Sequence, residues 1–247
     1  MMNRFYHPDT ISAHSEINLS EDASKHLVKS LRLKPSDKII LFNGDGFDYH
    51  GEVSDIDKKN VKIAVNEKKH NASEAVIDIS ILQSVTSRDK LDFIFQKNTE
   101  LGIKNFYLIN TERVNFKIPQ SKIENRIEHL KKVVISACEQ SGRSKIPTVH
   151  ETILGLNKLT NEDDHSCKLI LNPYTDYSLS NLRNNDLINK KSFQILIGPE
   201  GGFSEAEIKV AENAGFKSLS LGKRVLRTET ASLSIASAIL ALTNNFV

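Results

Sequence analysis

The 247-residue sequence has no tryptophan, two methionines and two cysteines. No Trp-rich or Met-rich interaction surface is on offer. Cys138 and Cys167 form no CxxC pair and have no histidine at metal-ligand spacing. That argues against a disulfide framework and against a metal site, and for a reducing, cytoplasmic setting. No apolar core follows the first residues, MMNRFYHPDTIS, so no signal peptide is expected. The most apolar long stretch, residues 231–242, contains Ser232, Ser234 and Ser237 and falls short of the ~20 apolar residues that span a bilayer. An excess of one charge is also missing: 33 basic and 31 acidic residues leave a formal net charge of +2. A nucleic-acid partner would therefore have to be met by local basic clusters rather than by bulk charge. Neither GK[ST] nor GxGxxG occurs, so neither a P-loop nor a dinucleotide fingerprint is present.

What is present reads as two parts. At 39% hydrophobic residues, the chain can build one large or two modest cores. The first ~70 residues pair one helix, EDASKHLVKSLRLK, with short strand-like runs separated by turns such as NGDG. Ser20 opens that helix and Pro35 stops it, a pattern that predicts a small β-barrel with a single helix. The polar segment EKKHNASE, residues 67–74, is the expected linker, which puts the domains at 1–72 and 73–247. Beyond it, VIDISILQSV, FYLIN, KLILN, FQILI and SLSL are strand-like runs, with helical patterns at 88–101 and 121–141 between the earlier ones. Strands alternating with helices predict an α/β fold with a parallel sheet. Ligands in such folds sit beyond the carboxyl ends of the strands.

Three loops occupy those ends: LNPYT, GPEGG and GKRVLRTET. GPEGG invites a phosphate, but the following Ser204-Glu205-Ala206-Glu207 is a capping box that satisfies its own helix N-terminus. Glu200 would also repel a phosphate. Bare glycines there suit close backbone contact with a ligand, or simply a tight turn. In LGKRVLRTET, Lys223, Arg224 and Arg227 lie within five positions, and Thr228 is the expected helix cap. These cations are either solvated loop charges or site residues. The small residues of the last helix, ETASLSIASAILAL, permit close approach of other backbone. Arg143, just past Gly142, suits a helix C-terminus. Lys25, Lys29 and Arg32, spaced i, i+4, i+7, form a basic stripe with Arg4 at the chain start, either a solvated face or a phosphate track. Leu27, Leu31 and Val28 would face the core.

GPEGGFSEAEI and LGKRVLRTETA together resemble the signature loops of the knotted SPOUT methyltransferases, and most closely the ribosomal RNA small subunit methyltransferase E family. HLVKSLRLKPSDKIILFNGDG is similar to that family's N-terminal PUA-like domain, and DKLDFIFQKNTELGI and CEQSGRSKIP to its central segments. The resemblance implies a C-terminal domain with a trefoil knot, a homodimer, and S-adenosylmethionine-dependent methylation of uridine N3 in 16S rRNA on the small ribosomal subunit. It implies cofactor contacts at Leu171, Asn172, Ile197, Gly198, Gly201, Leu221, Gly222, Val225 and Leu226. Arg227 and Arg143 become candidates to stabilise a uracil anion, Arg143 across the dimer. Glu200 would balance cofactor charge or help remove the N3 proton. Arg4, Lys25, Lys29, Arg32 and Arg143 become the RNA contacts. Two alternatives stay open: a knotted methyltransferase for another RNA base, and a non-catalytic ribosome-assembly protein.

Overall fold

The computed structural model describes residues 2–57, 60–159, 166–185 and 190–246. The chain divides into two compact units, Met1–Glu74 with Ile135–Ile146, and Ala75–Val134 with Pro147–Val247.

In the first unit, β1 (Asn3–Tyr6), β2 (Ser15–Asn18), β3 (Lys38–Phe42), β4 (Phe47–Asp57) and β5 (Asn60–His70) form a sheet of order β1-β3-β4-β5-β2. Only β1 and β3 run parallel. The alternating apolar positions of these strands, with Leu27, close one core around Ile39, Leu41, Tyr49, Val53 and Ile63. Helix α1 (Glu21–Lys25) is capped by the Ser20 hydroxyl, which accepts from Ala23 N–H at 3.2 Å. It runs on as a π-turn over His26–Leu31 and ends at Arg32, whose φ of 55° is left-handed. The wider turn corrects the expected helical face. Leu27 is buried, Leu31 is exposed, and Leu33 packs on the core instead, its N–H closing onto Leu27 O. The linker expectation also shifts. The first half of EKKHNASE, polar throughout, is the end of β5, held by pairing up to His70 opposite Phe47. Polarity alone reads as loop, yet ladder hydrogen bonds need no apolar side chain.

The second unit is a six-stranded sheet, parallel throughout, of order β11-β9-β10-β6-β7-β8. Its strands are β6 (Asp78–Ser84), β7 (Asn105–Asn110), β8 (Thr148–Gly155), β9 (Cys167–Leu171), β10 (Ser192–Ile197) and β11 (Lys217–Leu219). Central β6 and β10 are buried on both faces, which is why they read as continuous apolar runs. Helices α2 (Arg88–Glu100), α3 (Ile123–Ser141), α4 (Leu179–Asn185), α5 (Glu205–Asn213) and α6 (Thr228–Leu242) connect and cover it. Helix α2 buries Leu91, Ile94, Phe95 and Asn98 at helical spacing, and Phe95 stacks on Phe106 of β7 at 4.5 Å. Serines and alanines of α6 let it lie against α2, where Asn98 donates to the Ser232 hydroxyl at 2.8 Å. Three strand-to-loop junctions, after β9, β10 and β11, open at the same carboxyl edge of the sheet.

Candidate active site

The three loops line one cleft of about 460 Å³. Its walls include Leu171 and Asn172 after β9, Ile197, Gly198 and Gly201 after β10, and Leu221, Gly222, Val225 and Leu226 after β11. These nine are scattered over 56 positions, from 171 to 226, and meet because β9, β10 and β11 are parallel and close in the sheet. Glu200 and Arg227 line the same cleft.

Hydrogen bonds stitch the loops together. Asn172 N–H donates to Leu219 O at 2.9 Å, and Ser220 N–H to Tyr177 O at 2.8 Å. Thr228 is not the helix cap expected from its position. Arg227 holds the N-cap place, with no side-chain cap bond, and Thr228 is the first helical residue. The Thr228 hydroxyl instead donates to Gly198 O at 2.8 Å and accepts from Gln83 Nε2 at 2.9 Å. A carbonyl only accepts and an amide nitrogen only donates, so the direction of this buried relay is fixed.

Two of the glycines have packing reasons. A Cβ on Gly198 would meet the Phe203 ring at 3.0 Å, and one on Gly201 would meet Arg113 Cβ at 3.0 Å and its carbonyl oxygen at 3.1 Å. The GPEGG loop is bare partly so that it can fold over Phe203 and beside Arg113. The capping box is present as expected: Ser204 Oγ accepts from Glu207 N–H, and Glu207 Oε2 from Ser204 N–H. Glu207 Oε1 takes Glu112 N–H at 2.7 Å as well. The α5 N-terminus is thereby occupied by its own carboxylate.

Glu200 Oε1 accepts from Thr86 Oγ1 at 2.8 Å and from Lys90 Nζ at 2.5 Å. Lys90 also lies 3.9 Å from Glu229. Burial works to raise the Glu200 carboxyl, but these donors, Lys90 first, carry it below the usual carboxylate range. Glu200 is thus a fixed anion at the cleft wall. Arg227 is exposed beside it in the lining.

The remaining candidate cations belong to the first unit. Arg143 is 3% exposed, and its Nε and Nη2 engage both Glu74 oxygens at 3.1 and 2.7 Å. Arg4 forms a two-pronged pair with Asp48 at 2.9 and 3.0 Å and donates to Ser144 Oγ at 2.8 Å. Both guanidiniums are spent on internal carboxylates, which their sequence positions could not reveal. Lys25, Lys29 and Arg32 are exposed, with Lys25 paired to Glu21 at 2.8 Å.

Arg113 in the lining and Thr86 and Lys90 behind it carried no sequence signal, and Tyr174 and Phe203 none beyond their place in LNPYT and GPEGGF. Gln83 alone stood out faintly, as a polar residue inside the apolar run VIDISILQSV. Among the described residues no group of three or more His, Cys, Asp or Glu side chains is placed to hold a metal. No helix among them is long and apolar enough to cross a membrane.

The RNA methyltransferase domain family model matches residues 73–240, and an RNA methyltransferase PUA domain model matches 19–66. Ribosomal RNA small subunit methyltransferase E of Buchnera aphidicola subsp. Schizaphis graminum (strain Sg) is 31% identical, covering 96% of this chain and 94% of that protein. A methyltransferase of Legionella pneumophila, solved with bound cofactor SAM, superposes with a TM-score of 0.90 at 31% identity, over 98% of both chains. Ribosomal RNA small subunit methyltransferase E of Neisseria gonorrhoeae, solved with S-adenosyl methionine, gives 0.89 at 32% identity, again over 98% of both. The sheet order, the three-loop cleft and these likenesses agree: the chain belongs to the ribosomal RNA small subunit methyltransferase E family.

Proposed function

We propose that this protein transfers a methyl group from S-adenosylmethionine to N3 of a uridine in 16S rRNA, on the assembled small ribosomal subunit in the cytoplasm. The observation that carries the proposal is the convergence of all nine carried-over cofactor positions on one cleft with Glu200 and Arg227.

The cleft suits that cofactor. Its volume of about 460 Å³ falls within the ~300–1,000 Å³ of small-molecule sites. Leu171, Ile197, Leu221 and Leu226 offer apolar walls, and backbone groups of the three loops are available to an adenine edge. The ionised Glu200 complements a cationic ligand. When bound, S-adenosylmethionine supplies an electrophilic methyl group on a positively charged sulfur, so the leaving group is built in.

The protein's part is positioning and charge. Holding N3 in line with the methyl supplies much of the rate. The N3 proton leaves to water as the methyl passes from sulfur to N3, and the base it leaves carries negative charge over O2 and O4. Arg227, at the cleft and free of a cap bond, is the cation assigned to that charge. Glu200, held ionised by Lys90 and Thr86, is a poor proton acceptor and serves as a fixed anion facing the cofactor. Arg143 and Arg4 serve the first unit's own structure, while Lys25, Lys29 and Arg32 grip RNA phosphates. The family fold implies a homodimer and a trefoil knot. Consistent with a knot, α6 starts beside Gln83 of β6 and Gly198 after β10, although β11, which precedes it, lies beyond β9.

The test is incubation with labelled cofactor and small subunits from cells lacking this enzyme, followed by nucleoside analysis. N3-methyluridine in 16S rRNA is the expected product. Label in another base, or none, would overturn the proposal.

A further inference from the structure

Tyr174 is 90% exposed and Val225 76%. Together with Val76 they are the three most exposed large apolar side chains among the described residues, and both Tyr174 and Val225 line the lip of the cleft. An aromatic ring left in water contributes little to folding, and exposed apolar groups gathered at a cleft mark a contact surface. The ring is nonetheless held on a stiff support. Pro173 precedes it, and its own N–H donates to Asn172 Oδ1 at 3.0 Å, closing an Asx turn. The support is itself tied to β11 through Asn172 N–H and Leu219 O.

The charge around this lip is cationic. Arg224 and Arg113 are both exposed and both line the cleft. Arg113 is pinned to the GPEGG loop, its Nη1 donating to Gly201 O and Phe203 O at 3.3 Å each. Among the described residues no other group takes its Nε or Nη2 hydrogens. The sheet order places these groups on opposite sides of that loop. Tyr174 and Arg224 follow β9 and β11, and Arg113 follows β7, with β10 and β6 between. β9 and β7 are three strands apart in the sheet and β11 and β7 four, so the two groups reach the cleft from different sides.

We propose that Tyr174 is the stacking platform for the unstacked target pyrimidine, and that Arg113 and Arg224 hold its flanking phosphates. The proposal rests on the cleft being the methyl-transfer site. A π-face with paired cations suits a single-stranded RNA segment: stacking holds the base and the guanidiniums hold the backbone. The target base has to leave its stack to reach a buried methyl donor, and an aromatic lip replaces part of the stacking it loses.

The experiment compares wild type, Tyr174→Ala and Tyr174→Phe. Cofactor affinity is measured by calorimetry, and KM for unmodified small subunits by methyl incorporation. Tyr174→Ala is expected to raise KM for subunits roughly ten-fold, with cofactor affinity within two-fold of wild type. Tyr174→Phe keeps the ring and should stay within two-fold on both. An unchanged KM in Tyr174→Ala would overturn the proposal. So would a loss of cofactor affinity with KM unchanged, which would put the ring over the cofactor instead. If wild type itself neither bound the cofactor nor modified subunits, the methyl-transfer reading would fail first, separately from the role of Tyr174.

Discussion

The Thr228 hydroxyl donates a 2.8 Å hydrogen bond to the carbonyl of Gly198, thirty residues earlier in the chain. It receives one in turn from the buried amide of Gln83, so three segments meet at one oxygen. The GPEGG loop and the start of α6 are held in register by this relay, and the cleft walls depend on that register.

Thr228→Val removes the hydroxyl at nearly constant volume. It takes the hydroxyl donor from the half-buried Gly198 carbonyl and one of two acceptors from the buried Gln83 amide, which keeps Ser84 O at 3.1 Å, at a cost of about 1–3 kcal/mol. A lower melting temperature and at least ten-fold weaker cofactor binding are expected, with Thr228→Ser close to wild type. Normal cofactor affinity in Thr228→Val would show that the relay does not shape the cleft.

Arg227→Ala should lower kcat by roughly 100-fold while cofactor affinity changes little, as expected for a group that meets charge only in the transition state. Single-turnover rates at saturating cofactor make the measurement. An unchanged rate would remove Arg227 from the mechanism.

The Glu200 carboxyl, lowered chiefly by Lys90 against the opposing effect of burial, stays ionised from neutral pH down through the usual carboxylate range. Cofactor affinity should therefore be flat between about pH 8 and pH 5, since unperturbed Glu titrates near ~4.3. In Lys90→Met the main lowering partner is gone and burial remains, so the carboxyl rises and affinity begins to fall at a higher pH. Superimposable pH profiles for wild type and Lys90→Met would contradict this.

Lys29→Glu with Arg32→Glu reverses two exposed charges on the first unit. RNA affinity should drop about ten-fold or more at low salt, with a shallower salt dependence and unaltered cofactor binding. Filter binding across a salt series is the check, and equal affinity of the double mutant and wild type would refute the phosphate track.

Arg4→Ala should behave differently from those two. Asp48 would lose its guanidinium partner in a pair whose side chains are 6% and 15% exposed. Breaking such a buried pair costs about 3–5 kcal/mol. A lower denaturation midpoint is expected, with RNA affinity of the folded protein retained. The reverse pattern, normal stability and weak RNA binding, would return Arg4 to the RNA face.

Much of the architecture is legible in the sequence. Short, Ile-rich apolar runs such as ISIL and QILI suit strands buried on both faces, and the spacing of Leu91, Ile94 and Phe95 puts them on one helix face. The capping box at Ser204 was visible because it is a local, four-residue device. What stayed hidden was whatever depends on a partner distant in sequence. Arg4 and Lys29 look alike as isolated cations, yet one is spent on Asp48 and the other stands in solvent. Edge strands β1, β2 and β8 lack a long apolar run and form through pairing with neighbours. The π-turn after Lys25 moved Leu31 outward, because a wider turn breaks the 3.6-residue periodicity on which the expectation rested.

By itself the sequence determined the parallel α/β class, the three bare or basic loops and the self-capped α5, because each is written in local pattern and spacing. Only the tertiary structure decided that those loops share a cleft, that Gly198 and Gly201 are bare to make room for Phe203 and Arg113, that Thr228 bonds Gly198 rather than capping a helix, and that Lys90 holds Glu200 ionised. These are contacts between segments dozens of residues apart, and their energies arise only once strand order has brought the segments within a few ångströms.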